Sequence, residues 1–128
     1  MTLRVAMLGT GSFALPTFLG LLDSRHTVVG LVTQPDRVGP GHHQHRNPLK
    51  EAALSKNLPV FQPEKASSLE SLESLASWQA DLYVVAAYGQ ILSRQLLSVP
   101  RLGAINVHAS ILPKYRGAAP IQHAVWHG

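Results

Sequence analysis

A chain of 128 residues with 45% hydrophobic and 14% charged side chains has the length of one domain and a folded, globular composition, which excludes a disordered tract. It has no cysteine, so disulfides and thiolate metal centres are excluded; no apolar run nears the roughly 20 residues of a membrane helix, and MTLRVAMLGTG makes a poor signal peptide. Eleven Lys and Arg against seven acids give +4 at pH 7, an excess that suits a polyanionic partner without identifying one, and the expectation is a soluble, cytoplasmic protein.

Residues 4–8 read as a short strand ending at Gly9. A helix follows in which Leu15, Phe18, Leu19 and Leu22 recur at helical spacing, with Ser12 as its cap and Pro16 in its first turn. Residues 27–33 (TVVGLVT) are rich in β-branched side chains and form the second strand. A basic loop punctuated by Pro and Gly leads to Asn47 and Pro48, which open a helix carrying Leu49, Ala52, Ala53 and Leu54. Val60 and Phe61 make a short third strand, and Ser68 starts a helix with Leu69, Leu72, Leu75 and Ala76 on one stripe.

Residues 81–87 (DLYVVAA) are a continuous apolar strand of the kind covered on both faces in a parallel sheet. A short helix spans residues 93–97, residues 103–108 (GAINVH) form a fifth strand, and residues 119–126 start another helix. Trp78 and Trp126 fall on helices and are expected to pack. Strands alternating with helices imply an α/β fold: an open, doubly wound, Rossmann-like and mostly parallel sheet with helices on both faces. Ligands of such sheets sit beyond the carboxyl ends of the strands, near the switch in strand order.

Gly9, Gly11 and Ala14 have the G-x-G-x-x-A spacing of a dinucleotide loop, which also requires an acid at the end of the second strand. That strand ends Val32-Thr33-Gln34, with Asp36 only after Pro35, so the glycines read as a tight strand-to-helix turn and no NAD is expected. Asn106 and His108 stand two apart on the fifth strand, so both side chains leave one face, with Val107 opposite. An amide donor beside an imidazole suits acyl transfer, the amide for the oxyanion and the imidazole for a proton leaving an amine. For an isolated N-x-H the commoner reading is that Asn106 satisfies backbone groups and His108 is a packed core histidine.

The stretch NVHASILPKYRGAAPIQ closely resembles the signature of the methionyl-tRNA formyltransferase family. VTQPDR, LPVFQPEK, DLYVVAAYGQIL and PRLGAINVH extend that likeness over most of the chain. Related folate-dependent formyltransferases share the N-x-H and S-x-L-P pattern, whereas RGAAPIQ and VTQPDR are similar to the tRNA branch. The resemblance implies transfer of a formyl group from 10-formyltetrahydrofolate, as cosubstrate and without a metal, to the α-amine of initiator methionyl-tRNA.

It further implies that Asn106 and His108 are the catalytic pair. Ser110, Ile111, Leu112 and Pro113 would contact the folate, with Tyr88, Gly89, Gln90, Ile91 and Leu92 holding the pterin largely through backbone groups and Phe13 flanking the site. Arg37, Arg46, Lys114 and Arg116 are the expected tRNA contacts. The family's catalytic aspartate and its C-terminal tRNA-binding domain lie beyond Gly128, so the expectation is an N-terminal formyltransferase domain, incomplete at its C-terminal end, monomeric and inactive or partial alone. The loop VGPGHHQHRNP departs from the family's Gly/Arg/Lys-rich stretch by placing His42, His43 and His45 there. A formyltransferase for a small-molecule amine and a non-catalytic nucleotide-binding module are the alternatives.

Overall fold

In a computed structural model, which describes residues 1–36, 46–107 and the backbone of 125–126, a six-stranded sheet carries helices on both faces. The chain runs β1 (Arg4–Gly9), a 3-10 turn (Ser12–Ala14), α1 (Leu15–Leu22), β2 (Thr27–Val32), α2 (Pro48–Ser55) and β3 (Val60–Phe61). It continues through α3 (Leu69–Ala76), β4 (Leu82–Ala86), α4 (Arg94–Leu97), β5 (Ala104–Asn106) and β6 (Val125–Trp126). The strand order is β3-β2-β1-β4-β5-β6, with β1 to β5 parallel and β6 antiparallel on the edge. The order therefore reverses between β1 and β4, and a crevice is expected past the carboxyl ends of those two strands.

The alternation of Cβ directions along the central strands divides the core in two. Ala6, Leu8, Val32, Tyr83 and Val85 meet Leu75 of α3 and Leu96 and Leu97 of α4 on one face. Val5, Met7, Leu31, Val84 and Ala86 meet Phe18 of α1 and Leu49 and Ala53 of α2 on the other. A strand buried on both faces has no polar side, which is why Leu82–Ala86 reads as an unbroken apolar run, with Asp81 at its entrance outside the strand.

Among the described residues, three helices begin on a side-chain cap. Asn47 Oδ1 accepts from the Lys50 amide at 3.1 Å, Ser68 Oγ from Ser71 at 3.2 Å and Ser93 Oγ from Leu96 at 3.1 Å. Ser12 makes no such cap: it opens the 3-10 turn, and α1 starts behind Ala14 with Pro16 in its first turn and no capping side chain.

Packing also corrects several face assignments. Leu19, Leu54, Leu69 and Ala76 are exposed, and α3 turns Ser71, Leu72 and Leu75 inward instead. Ser71 is tolerated there because its hydroxyl donates to the Lys65 carbonyl at 2.8 Å. Val125 and Trp126 are not helical: they pair with Ile105 and Ala104 as β6. Trp78 lies just past α3, against Gly30 and edge-to-face with Phe61 at 6.4 Å between ring centroids.

Candidate active site

The crevice forms where β1, β2 and β4 end, and Thr10 ties their exits together. Its amide donates to the Ala87 carbonyl at 3.1 Å and its hydroxyl to the Tyr88 carbonyl at 2.9 Å, while the Gln34 amide donates back to that hydroxyl at 3.2 Å. Asn47 Nδ2 donates to Thr33 Oγ1 at 2.9 Å, which attaches the start of α2 to the end of β2. Thr10, Gln34 and Asn47 thus line the crevice with Thr33 buried behind them, and none of the four is singled out from the sequence as a site residue. The available signal was a hydroxyl inside the glycine turn and polar residues at a strand exit.

Past β4 the backbone turns sharply, with Ala87 at φ 52° and Gly89 at φ 98°. The left-handed region suits Gly89 and strains Ala87, and such strain is held only where the surroundings over-determine it. Here the Thr10 bonds to Ala87 and Tyr88 do so. The Tyr88 ring is buried, and burial pushes its hydroxyl up to about 12, so it remains a neutral phenol at physiological pH.

A cleft of about 420 Å³ opens beside this turn, lined by Phe13, Tyr88, Gly89, Gln90, Leu92 and Asn106, among others. Asn106 is the last residue of β5, in register with Val85 of β4 and half-buried. Phe13, 44% exposed, projects from the turn after β1. Folding therefore gathers residues 13, 88–90, 92 and 106 around one space. Ile91 is the exception: it is 93% exposed and lines a separate depression beside residues 64–68. Its neighbours Gln90 and Leu92 turn inward, and Ile91 turns out to solvent between them. Val107 also reaches the cleft while packing on the α1/α2 side of the sheet.

A second cavity of about 460 Å³ lies across Ala87, Tyr88 and Gly89 from the first, lined also by Thr10, Ser12, Gln34, Asp36, Arg46 and Asn47. Arg46 at its rim is exposed and paired with Glu51, Nε to Oε2 at 3.0 Å. Asp36 accepts from Lys50 Nζ at 2.6 Å and from Gln62 at 2.9 Å, and these donors hold its carboxyl below the ordinary carboxylate range. His108, Ser110, Ile111, Leu112, Pro113, Lys114, Arg116, Arg37 and the three histidines of the 42–45 loop lie outside the described residues.

An amide side chain at the lip of a partly apolar cleft, opposite a turn that presents backbone groups, suits a planar polar ligand and an oxyanion formed next to it. Residues 3–128 match the sequence profile of the formyl transferase family. The chain belongs to that family. This formyl transferase chain is 47% identical over 127 residues to the methionyl-tRNA formyltransferase of Pseudoalteromonas translucida (strain TAC 125), and 46% identical to that of Legionella pneumophila (strain Paris). Each match covers 98% of this chain and 40% of the relative, so the formyl transferase chain spans well under half the length of these curated proteins.

Among solved structures it is similar to glycinamide ribonucleotide transformylase 1 from Geobacillus kaustophilus, with TM-score 0.59 and 25% identity over 94% of this chain and 65% of that one. It also has the fold of a formyltetrahydrofolate deformylase from Pseudomonas syringae pv. tomato, with TM-score 0.60 and 23% identity over 94% of this chain and 40% of that one.

Proposed function

We propose that this formyl transferase chain is the donor-binding and catalytic part of a methionyl-tRNA formyltransferase, which moves the formyl group of 10-formyltetrahydrofolate to the α-amine of methionyl-tRNA. The observation that carries this is Asn106 at the end of β5, opening onto the cleft shared by Phe13 and the turn of residues 88–90. The 47% and 46% identities to methionyl-tRNA formyltransferases support the tRNA acceptor over a small amine. Because the chain spans 40% of those relatives, the transfer is assigned to the whole protein and donor binding to this part.

In this reading the pterin of the donor substrate lies along residues 88–90 and 92, with Phe13 at its edge and residues 110–113 completing the contact. The acceptor amine forms a bond to the formyl carbon, and the carbonyl oxygen becomes anionic. Asn106 donates a hydrogen bond to that oxygen, strongest when the charge is largest. Collapse breaks the bond between the carbon and folate N10; the acceptor nitrogen gives up a proton and N10 gains one, with His108 the group that moves it. Arg37, Arg46, Lys114 and Arg116 face the phosphates of the acceptor end. The protein works as a monomer in the cytoplasm, and no helix among the described residues is long and apolar enough to cross a membrane.

The test supplies the whole protein and 10-formyltetrahydrofolate with methionyl-tRNA or glycinamide ribonucleotide, and follows formylation of each. Transfer to the tRNA alone is expected. Transfer to the small amine alone overturns the acceptor, and absence of folate binding overturns the reaction.

A further inference from the structure

Gln34 and Gln90 are 56 residues apart in sequence, yet their side-chain amides meet: Gln90 Nε2 donates to Gln34 Oε1 at 2.7 Å. The orientation of Gln90 is set by a backbone N–H, which can only donate, and a backbone carbonyl, which can only accept. The Ala66 amide must be accepted, at 2.9 Å, by Gln90 Oε1, and the Pro63 carbonyl must receive, at 3.1 Å, a proton from Nε2. The remaining Nε2 proton then points at Gln34, whose oxygen is the partner it needs.

Gln34 is anchored in turn. Its own amide donates to Thr10 at 3.2 Å and its carbonyl accepts from Gln62 at 3.1 Å, while its side chain lies so close over Gly89 that a Cβ there would come within 2.8 Å of Nε2. Gln90 lines the Asn106 cleft, Gln34 lines the second cavity, and Gly89 borders both. The amide pair therefore bridges the turn of residues 88–90 to the exit of β2, directly over Gly89.

We propose that Gln34 and Gln90 are positioning residues, a side-chain latch that holds the 88–92 turn in place opposite Asn106 and so sets the shape of the formyl-donor cleft. The assignment of the donor rests on the function proposed above; the latch itself does not. Such a latch has a direction, because Gln34 supplies the oxygen and Gln90 the protons. Gln34→Glu keeps the accepting oxygen. Gln90→Glu sets a carboxylate against the Pro63 carbonyl and leaves it without a donor, and it obliges the Gln34 amide to turn over and present Nε2 in place of Oε1.

The experiment measures binding of 5-formyltetrahydrofolate by calorimetry, and amide hydrogen exchange over residues 88–92, in the unaltered protein and both variants. Gln34→Glu should bind within about twofold of the unaltered protein, and Gln90→Glu about tenfold or more weaker, with exchange in 88–92 about tenfold faster in Gln90→Glu alone. Equal loss in the two variants, or no loss in either, overturns the latch. If the unaltered protein does not bind the folate, the donor reading fails and the exchange pattern alone decides the latch. Should Gln90→Glu fail to fold, Gln90→Met removes both Nε2 bonds, and the Ala66 bond with them, without adding charge and carries the same expectation.

Discussion

Gly9 and Ala86 stand opposite each other in the β1–β4 ladder, and a Cβ on residue 9 would lie 2.7 Å from the Ala86 carbonyl oxygen and 3.1 Å from the Ala14 Cβ. The first glycine of the G-x-G-x-x-A pattern is thus a packing requirement at the centre of the sheet. Gly11 has open space around it and a φ of -77°, which any residue adopts. Gly9→Ala should destabilise by about 1–3 kcal/mol, since the carbonyl cannot move without breaking the sheet, and Gly11→Ala should stay within about 0.5 kcal/mol. Urea unfolding midpoints separate the two, and equal values would contradict the account.

At the other end of the sheet, Asp81 joins β1 to the segment entering β5. Its Oδ2 accepts the Arg4 amide at 2.8 Å and its Oδ1 the Arg101 Nε at 2.8 Å. The Arg4 amide first, then Arg101, hold the Asp81 carboxyl below its ordinary value of 3.8. A depressed carboxylate stabilises fully above its unfolded value and loses that contribution as pH falls through the lower folded one. Thermal midpoints measured from neutral pH down to about 2 should therefore fall less steeply for Asp81→Asn, which is also the less stable protein at pH 7. Parallel acid limbs would remove Asp81 from the linkage.

Asn47 serves two elements at once, accepting from Lys50 at 3.1 Å to cap α2 and donating to Thr33 at 2.9 Å. Asn47→Ala should cost about 1–2 kcal/mol, and Asn47→Asp less, because the capping oxygen survives and only the donation to Thr33 is lost. Chemical denaturation of the two variants ranks them, and a reversed order would refute the double role.

If Asn106 donates to the developing oxyanion, Asn106→Ala in the whole protein should lower kcat/KM by roughly 100- to 1,000-fold. Its affinity for 5-formyltetrahydrofolate should change little, because the interaction belongs to the transition state. Turnover close to normal in this variant removes Asn106 from the chemistry.

Arg46 pairs with Glu51 at the surface, an arrangement that contributes little to stability and leaves the guanidinium within reach of a phosphate. Arg46→Ala should flatten the dependence of log affinity for tRNA on log salt by about one, and Glu51→Gln should tighten binding at low salt by releasing Arg46. Affinities titrated across a range of KCl concentrations check both.

Local chemistry in this chain was legible from its order of residues. The β-branched run of β2, the apolar run of β4, the cap at Asn47 and the helix starts at Ser68 and Ser93 each depend on neighbours a few positions away, so propensity and periodicity carried them, whereas the cap expected at Ser12 is absent. The likeness of NVHASILPKYRGAAPIQ to a known signature indicated the family from the sequence, and the two-residue spacing of Asn106 and His108 singled them out on the fifth strand.

Contacts between distant segments belonged to the tertiary structure alone. Which side of α3 faces inward was settled by the sheet beneath it, which buries Ser71 and leaves Leu69 and Ala76 in water. Residues 125 and 126 became a strand because β5 offered an open ladder edge, and Ile91 lies outward while Gln90 and Leu92 line the cleft. The meeting of Gln34 with Gln90 depends on strand order, since β2 and β4 are brought to either side of β1 only once the sheet assembles. A sequence specifies which residues are able to bond; closure of a parallel sheet, built by crossovers between segments far apart in the chain, decides which of them come within reach.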